Sequence, residues 1–399
     1  MNTPFPSSAI LDEVIASLET LPNSTDLPSL VLTLRKRFPE VDPKTLNMAA
    51  EIFVARRSAP HKLGEWSRQG YFSLAVLQQA SRSAIAEHRA QAFRGLSHVL
   101  EIGTGSGSDT AALAAVCEKV TTLEADAATS ELARRNLELR GYSNVTFLVG
   151  SAEEILPQLT DTFDGLFADP ARRSREGDRI KEASDYSPPL DFVMQLPFGH
   201  RRAIKISPGL FIDAPALGWS REFVGYGSEC LEQTLWYGTE RVDSSVFVAD
   251  IGTGWSPSQA VMPLPHAESL QGFIVEAHAV VNRSQEVGRF FAERGIQQIA
   301  PDVAYGTCSE APPFDPLLSS FRILDAFPHH LKKLKEAVRN LGWSRRTELK
   351  KRTCPLDLDE VRAALSLGEH SHEAPFGVLF FFRWRSVTWV VLAERIREQ

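Results

Sequence analysis

The residues best suited to chemistry lie in a glycine-rich segment in the first half of the chain. Val99 to Ile102 is an apolar run, and Gly103-Thr104-Gly105-Ser106-Gly107 follows it directly, ahead of a helical pattern that begins near Ser108. Glycines let the backbone turn tightly and approach a ligand, and a helix N-terminus offers unpaired N–H groups. The segment predicts a strand, a ligand-binding turn and a helix. A tight turn that only packs the helix on the strand is the alternative.

A carboxylate stands where the next apolar run ends. Glu124 follows Val120 to Leu123 and lies twenty-one residues after Gly103. An acid at this spacing can accept hydrogen bonds from two ribose hydroxyls. Each hydrogen bond to a charged carboxylate contributes about 1.5–3 kcal/mol, enough to matter for ligand affinity. The two features together predict a cofactor that contains a nucleoside.

The spacing of the glycines selects among such cofactors. Gly107 comes two residues after Gly105, whereas the dinucleotide pattern G-x-G-x-x-G places its third glycine three residues after the second. Asp109 would repel a pyrophosphate, while Glu101 and Asp109 suit the cationic amino acid end of S-adenosylmethionine. We therefore expect S-adenosyl-L-methionine rather than NAD. The predicted cofactor contacts are Glu101, Gly103, Thr104, Gly105, Gly107, Asp109, Glu124, Ala125, Ser151, Ala152 and Asp169.

A second candidate for chemistry is the turn Asp169-Pro170-Ala171-Arg172-Arg173, which follows a fourth apolar run. Methyl transfer is an in-line displacement, so the protein must mainly align the acceptor lone pair with the methyl group. The Asp169 carboxylate and the Pro170 carbonyl could hold an exocyclic amine, and Arg172 could stack on a base or bind a phosphate. We predict Asp169, Pro170 and Arg172 as catalytic residues. An Asx-type turn followed by surface arginines is the alternative.

These segments need a scaffold, and the chain between about 95 and 255 alternates short apolar runs with helical patterns. This alternation predicts a parallel sheet wrapped by helices, whose ligands bind beyond the carboxyl ends of the strands. Residues 203–206 form the fifth predicted strand, ahead of Ser207-Pro208-Gly209. Residues 231–236 and 245–250 are spaced like the closing antiparallel pair of a seven-stranded sheet.

Length and texture predict three parts. The 399 residues exceed one ordinary domain. Residues 1–92 carry apolar side chains at helical spacing and predict a helical N-terminal domain, 93–262 the α/β domain, and 263–399, after a proline-rich stretch, an α+β region.

The charge of the chain restricts its partners. With 43 Lys+Arg against 50 Asp+Glu the net charge is −7, so nucleic acid can be held only by local patches. Between 329 and 352 nine basic residues face two acidic ones, and a second basic run follows the Asp-Pro turn. These runs suggest a basic surface that follows the phosphates of an RNA. The alternative is the solvated face of an amphipathic helix. No specificity for DNA is evident. The predicted substrate contacts are Arg172, Arg173, Lys205, Lys350, Lys351 and Arg352.

Other site classes lack a signal. The four cysteines are far apart without a C-x-x-C pair, which argues against a zinc knuckle or disulfide framework, and the histidines lack companions at metal spacing. The apolar runs are strand-sized and the first residues do not resemble a signal peptide. We expect a cytoplasmic protein with no metal and no membrane span.

At this point the sequence resembles class I S-adenosylmethionine-dependent methyltransferases, and more narrowly a bacterial group with a C-terminal THUMP-like domain. The narrower resemblance rests on several stretches: Leu77-Gln78-Gln79-Ala80-Ser81 with Ala86 and Arg89, the glycine loop with Asp109-Thr110, the turns at 169–173 and 207–209, Leu349-Lys350-Lys351-Arg352, and Asp357-Leu358-Asp359. It implies a Rossmann-like sheet, a helical N-terminal extension and a ferredoxin-like or THUMP-like C-terminal region.

The chain departs from that pattern in two places. Ser151 stands where such methyltransferases often carry an acid that reads the adenine amino group, which leaves Glu153 and backbone groups for this contact. Thr353-Cys354 stands where the resemblance implies a glycine after the basic run. The first departure bears on cofactor binding and the second on a turn, and neither bears on the fold.

Three functions fit these patterns. The first is an RNA base N-methyltransferase in which Asp169 positions the amine and the C-terminal region holds the RNA. The second is a methyltransferase for a small molecule or protein, favoured by the acidity of the chain and by the absence of an aromatic residue after Asp169-Pro170. The third is a module that binds RNA or cofactor without catalysis.

Overall fold

The computed structural model describes residues 6–21, 26–172, 186–260, 263–365, 367 and 375–396. The chain forms two compact units, one made of residues 1–221 and 232–241 and the other of 222–231 and 242–399. Elements are numbered in chain order across both units. The predicted boundaries at 92/93 and 262/263 stay predictions.

The first unit begins with short helices that carry strong start signals. Asp26 and Asp42 accept hydrogen bonds from backbone N–H groups of the second and third helices, each of which has proline in its first turn. Their apolar faces form a core that also receives Leu132 from a later helix. The helices are α1 Ser8–Ala16, α2 Leu27–Arg37, α3 Pro43–Ser58, α4 Pro60–Leu63, α5 Leu74–Gln79 and α6 Ser83–Ala90, with 3₁₀ turns at Glu65–Gln69 and Gln91–Phe93.

A sheet forms the rest of the first unit. Its strand order is β3-β2-β1-β4-β7-β9, parallel except for β9, which runs antiparallel to β7. The strands are β1 His98–Ile102, β2 Lys119–Glu124, β3 Val145–Val149, β4 Gly165–Ala168, β7 Arg201–Ile206 and β9 Glu229–Tyr237, and Ala171–Arg172 and Tyr186–Ser187 are the two-residue strands β5 and β6. The helices are α7 Ser108–Ala114, α8 Ala127–Leu139, α9 Ala152–Ile155 and α10 Leu190–Gln195, with 3₁₀ turns at Leu156–Gln158 and Pro215–Leu217.

The predicted closing pair of strands is wrong. Residues 245–248 form β10, which pairs in parallel with β8 (Ser220–Tyr226) and antiparallel with β11 (Thr253–Trp255), and not with β9. β8 was not predicted because its sequence, S-R-E-F-V-G-Y, mixes charges and glycine with a short apolar core. The predicted parallel α/β sheet is confirmed, while the count of seven strands is not.

The second unit contains a seven-stranded sheet in the order β13-β14-β12-β15-β18-β17-β16, antiparallel except for β16 beside β17. Aromatic side chains such as Phe380 and Phe382 fill one face, and α13 and α14 cover the other. This is the expected α+β region. Its elements are β12 Phe273–Ala277, α11 Ala279–Ser284, α12 Val287–Ala292, β13 Gln297–Ala300, β14 Val303–Cys308, β15 Leu318–Pro328, α13 Leu331–Asn340, β16 Glu348–Arg352, α14 Leu358–Leu365, β17 Val378–Trp384 and β18 Val387–Arg395.

Candidate active site

The glycine loop connects β1 to α7 and lies against the Asp-Pro turn. Gly103 has φ +92°, and a Cβ built there would lie 2.5 Å from the backbone oxygen of Asp169. Any other residue would clash with that turn, so glycine is required for the close approach. Gly105 has φ +52° and nothing within 4 Å of its Cβ position, which leaves open space above the loop. The predicted strand, turn and helix are therefore present.

Glu124, at the end of β2, holds the middle of the loop. Its carboxylate accepts hydrogen bonds from the N–H of Gly105 at 3.0 Å and from the N–H of Asp126 at 3.1 Å. Thr104 Oγ1 lies 2.5 Å from Thr122 Oγ1 and fastens the loop to the same strand. Each carboxylate oxygen can accept more than one hydrogen bond, so Glu124 can still receive ribose hydroxyls. Its neighbour Ala125 is exposed.

Glu101 is completely buried beneath the loop. Thr110 Oγ1 donates to its Oε2 at 2.6 Å, while Oε1 has no hydrogen-bond partner among the described residues. Burial raises the pKa of Glu101 to about 8, against the hydrogen bond from Thr110 that lowers it. Because the Glu101 side chain has no exposed surface, it can influence a bound cofactor only electrostatically and not by direct contact.

Asp109 has a different partner from the one predicted. Its carboxylate pairs with the guanidinium of Arg89 on α6. The same guanidinium also pairs with Glu232 on β9. All three are buried, and the Arg89 guanidinium lies 4.8 Å from the ring centroid of Phe167. Burial alone would lower the pKa of Arg89, but the two carboxylates raise this pKa above its usual range. The charge of Asp109 is thus already neutralised within the protein.

The ion triad was missed by reasoning from the sequence, although one signal pointed to it. Arg89 lies among the alanines of α6, and Glu232 precedes an apolar stretch of β9. A charged residue on a buried face needs a partner, because a lone buried charge is very costly. Arg89 lies 20 residues before Asp109 and 143 residues before Glu232 in the chain, so no local pattern could identify these pairs.

The Asp-Pro turn carries a second ion pair. Lys205 Nζ on β7 donates to Asp169 Oδ2 at 2.7 Å and to Ser81 Oγ at 3.1 Å. Asp169 keeps 30% of its side chain exposed, while Lys205 keeps 11%. Burial raises the pKa of Asp169, and Lys205 opposes that rise. Lys205, predicted to bind substrate directly, is thus bonded to the predicted catalytic carboxylate.

Two turns that flank Asp169 are tied together. The residues after Pro170 form the short strand β5, which pairs with β6. The N–H of Ser207 donates to the hydroxyl of buried Tyr186, on β6, at 2.8 Å. The backbone of Arg172 lies in β5, and the predicted residue Arg173 lies outside the described residues.

The turn after β3 uses its serine for structure. Ser151 is the N-cap of α9, and its hydroxyl accepts a hydrogen bond from the N–H of Glu154 at 3.3 Å. The adjacent Ala152 is buried, and Glu153 is exposed. The predicted contacts of Ser151 and Ala152 with the cofactor stay predictions.

The predicted basic run on β16 does not form one patch. The ammonium of Lys350 and the guanidinium of Arg352 both pair with Glu276, whereas Lys351 Nζ donates to the backbone oxygen of Leu356 at 2.7 Å. Successive side chains on a strand point to opposite faces, which separates Lys351 from its neighbours. Thr353, where a glycine was expected, has φ +50°, a conformation that favours glycine.

The residues of the loop fit S-adenosylmethionine. Open space above Gly105 and the carboxylate of Glu124 can receive a ribose, and the loop backbone lies directly against the Asp169 turn. Among the described residues, no helix is long and apolar enough to span a membrane, and no group of three or more His, Cys, Asp or Glu side chains could hold a metal ion.

Comparisons with known proteins agree with this interpretation. Residues 99–176 match the family model described as a methyltransferase domain, and residues 318–395 match a THUMP domain-like family. A Mycobacterium tuberculosis protein named "Uncharacterized S-adenosylmethionine-dependent methyltransferase" is 27% identical over 350 residues, which cover 84% of this chain and 92% of that protein. A protein-L-isoaspartate O-methyltransferase of Magnetococcus marinus is 55% identical, but only over 53 residues, 13% of this chain and 23% of its own length.

A solved structure shares the fold over nearly the whole chain. A Porphyromonas gingivalis W83 protein, provisionally named a methyltransferase, superposes with a TM-score of 0.77 over 98% of this chain and 100% of that chain, at 17% identity. Likeness at this identity shows the fold alone. The two family matches, the Mycobacterium tuberculosis relative and the geometry of the glycine loop support a class I S-adenosylmethionine-dependent methyltransferase with a THUMP-like domain in its C-terminal region.

Proposed function

We propose that this methyltransferase transfers the methyl group of S-adenosylmethionine to a base nitrogen of RNA. The observation that carries the proposal is the partly exposed carboxylate of Asp169 on a turn packed against the glycine loop. Its bond to Lys205 uses one oxygen, Oδ2, and the other oxygen can accept a hydrogen bond from an exocyclic amine. The backbone oxygen of Pro170 is the proposed second acceptor, and Arg172 a contact to the nucleotide.

The chemistry asks little of the protein beyond alignment. When bound, S-adenosylmethionine would supply an electrophilic methyl group on its sulfonium, and the amine nitrogen would gain the N–C bond as the S–C bond breaks and the thioether leaves. Asp169 would hold the N–H groups so that the nitrogen lone pair points at the methyl carbon. The extra proton then leaves the nitrogen, and the Asp169 carboxylate is placed to accept it. Lys205 keeps that carboxylate close to the loop through its bond to Oδ2.

An RNA acceptor is supported by charge in the second unit as well as by the THUMP domain-like match. On α13, Leu334 and Val338 are buried, while Lys332, Lys333 and Arg339 are exposed. Cations that contact phosphates release counterions and bind nucleic acid without reading its sequence. We propose this helix face as the RNA contact, in place of the predicted run on β16. Four free thiols are consistent with the proposed cytoplasmic location.

The test follows methyl-labelled S-adenosylmethionine into RNA, protein and small molecules from cells that lack the protein. Wild type should give label that nuclease removes. Asp169→Asn, which keeps the shape of the side chain, should lose at least 10-fold in rate while its affinity for the cofactor stays within about 2-fold. Protease-sensitive or small-molecule label would contradict the RNA proposal. Loss of cofactor binding in Asp169→Asn would show that the carboxylate supports the cofactor site rather than the acceptor.

A hydroxyl acceptor is the second candidate, and the burial of Asp169 favours it. A hydroxyl must lose its proton during methyl transfer, and burial raises the pKa of the Asp169 carboxyl, which makes its carboxylate a better proton acceptor. Mapping the labelled nucleotide separates the two, because a methylated ribose survives as a modified sugar and a methylated nitrogen as a modified base.

A further inference from the structure

The loop between β7 and β8 presents one large aromatic side chain to solvent. Phe211 is 69% exposed, whereas its neighbours Leu210 and Ala214 are buried in the core of the first unit. Trp219, at the end of the loop, is buried in the same core. The exposed ring is therefore held between anchored positions, so it pays little entropy on contact with a ligand.

Hydrogen bonds fix this loop to the candidate active site. The N–H of Leu210 donates to the backbone oxygen of Ser207 at 3.1 Å, and the N–H of Ser207 donates to the hydroxyl of Tyr186. Tyr186 belongs to the strand that pairs with the segment directly after Pro170. The loop that carries Phe211 and the turn that carries Asp169 are thus fastened to one another through a single buried tyrosine.

Phe211 also lies on the correct edge of the sheet. β4 and β7 are parallel neighbours, so Asp169 and the loop after Ile206 leave the sheet at the same carboxyl end. Phe211 follows Lys205, which is bonded to Asp169, by six residues, a span of at most roughly 20 Å. This distance is compatible with one or two nucleotides.

The electrostatics beside the turn favour an anionic partner. Lys62 donates to the backbone oxygens of Leu77 and Gln78 at 2.9 and 2.7 Å. Burial and the positive charges of Lys205 and Arg82 lower the pKa of Lys62 to about 8. Lys205 is already paired with Asp169, so Lys62 and Arg82 supply the positive charge near the turn that can attract a phosphate of a nucleic acid, which an apolar peptide segment does not carry.

We propose that Phe211 stacks on a nucleobase of the RNA acceptor, and so supplies the aromatic contact that the Asp169-Pro170 turn lacks. Every nucleobase has a flat face, and a base stacked on an aromatic ring contributes to binding without reading the sequence. The residues that follow Asp169-Pro170 in the turn are Ala171, Arg172 and Arg173, none of which is aromatic. The inference rests on the proposed RNA acceptor.

The experiment compares variants of the full chain with methyl-labelled S-adenosylmethionine and total RNA from cells that lack the protein. Phe211→Ala should lower kcat/KM for RNA by roughly 5- to 150-fold, the loss of one stacked base, with cofactor affinity unchanged. Phe211→Leu keeps an apolar side chain without a π-face and should be almost as impaired, while Phe211→Tyr should retain most of the activity. Phe314→Ala is the matched control, since Phe314 is 71% exposed in a loop that carries none of the site residues.

The outcomes separate this inference from the proposed function. Nuclease-sensitive label with wild type that Phe211→Ala retains in full would overturn the stacking role alone. Equal activity of Phe211→Leu and wild type would also overturn the stacking role, because an apolar side chain without a π-face would then be sufficient. Absence of label in RNA with wild type would overturn the proposed function and the stacking role with it. Loss in Phe211→Ala with rescue in Phe211→Tyr would support both.

Discussion

The buried carboxyl of Glu101 should make the stability of the enzyme depend on pH. Burial raises its pKa from 4.5 to about 8. Between these values the folded protein keeps a proton that the unfolded chain has released, so the free energy of unfolding falls as pH rises through this window. The shift corresponds to an upper limit of roughly 5 kcal/mol, of which roughly 3 kcal/mol falls above pH 6. Glu101→Gln preserves the neutral shape and removes the titration.

Thermal unfolding of the two proteins from pH 5 to pH 9 measures this effect. The difference in melting temperature between Glu101→Gln and wild type should grow steadily in favour of the variant as pH rises and level off above about pH 8. Its melting temperature should exceed that of wild type by up to roughly 6–12 °C more at pH 9 than at pH 6. Glu153→Gln removes an exposed carboxylate and controls for the loss of one charge. If the curves of Glu101→Gln and wild type stay parallel across the range, the buried carboxyl does not titrate as described.

Three further predictions concern the glycine loop and the residues that support it. Glu124→Gln should weaken S-adenosylmethionine binding about 10- to 100-fold in calorimetry, because the charged acceptor is lost, and unchanged affinity would exclude a ribose contact. Gly103→Ala should abolish activity and lower the melting temperature more than Gly105→Ala, since only the first would clash with backbone; equal effects would contradict this packing. Arg89→Met should destabilise by about 3–5 kcal/mol in denaturant unfolding by leaving two buried carboxylates uncompensated, and a loss below 1 kcal/mol would refute that role.

The glycine loop could be predicted because its signals are local. The strand before Gly103, the turn and the following helix are adjacent in the chain, and Glu124 ends the next strand. Strand partners are not local information. Residues 245–248 have the apolar character of a strand, but nothing in that run distinguishes β8 from β9 as the neighbour.

The ion pairs of the site were beyond the same reasoning. Lys205 lies between the buried Ile204 and Ile206 on β7 and so needs a partner for its charge, yet that partner, Asp169, is 36 residues away in the chain. Asp109 was expected to face the cofactor, and only the packing of α6 against α7 reveals Arg89 as its partner. Charges placed on buried faces indicate that pairing must occur, and the fold decides with which residue.

Asn136 on α8 joins the first helices to the cofactor loop. Its Oδ1 accepts a hydrogen bond from the N–H of Tyr71 at 2.7 Å, and its Nδ2 donates to the backbone oxygens of Tyr71 at 2.9 Å and Ser106 at 3.1 Å. Deleting the chain before β1 would therefore remove Tyr71, which bonds to the buried amide of Asn136. The same amide donates to Ser106 in the glycine loop. Shortened versions of this enzyme should therefore keep α1 to α6 together with the Rossmann-like part. Chimeras that exchange these leading helices should exchange α8 with them.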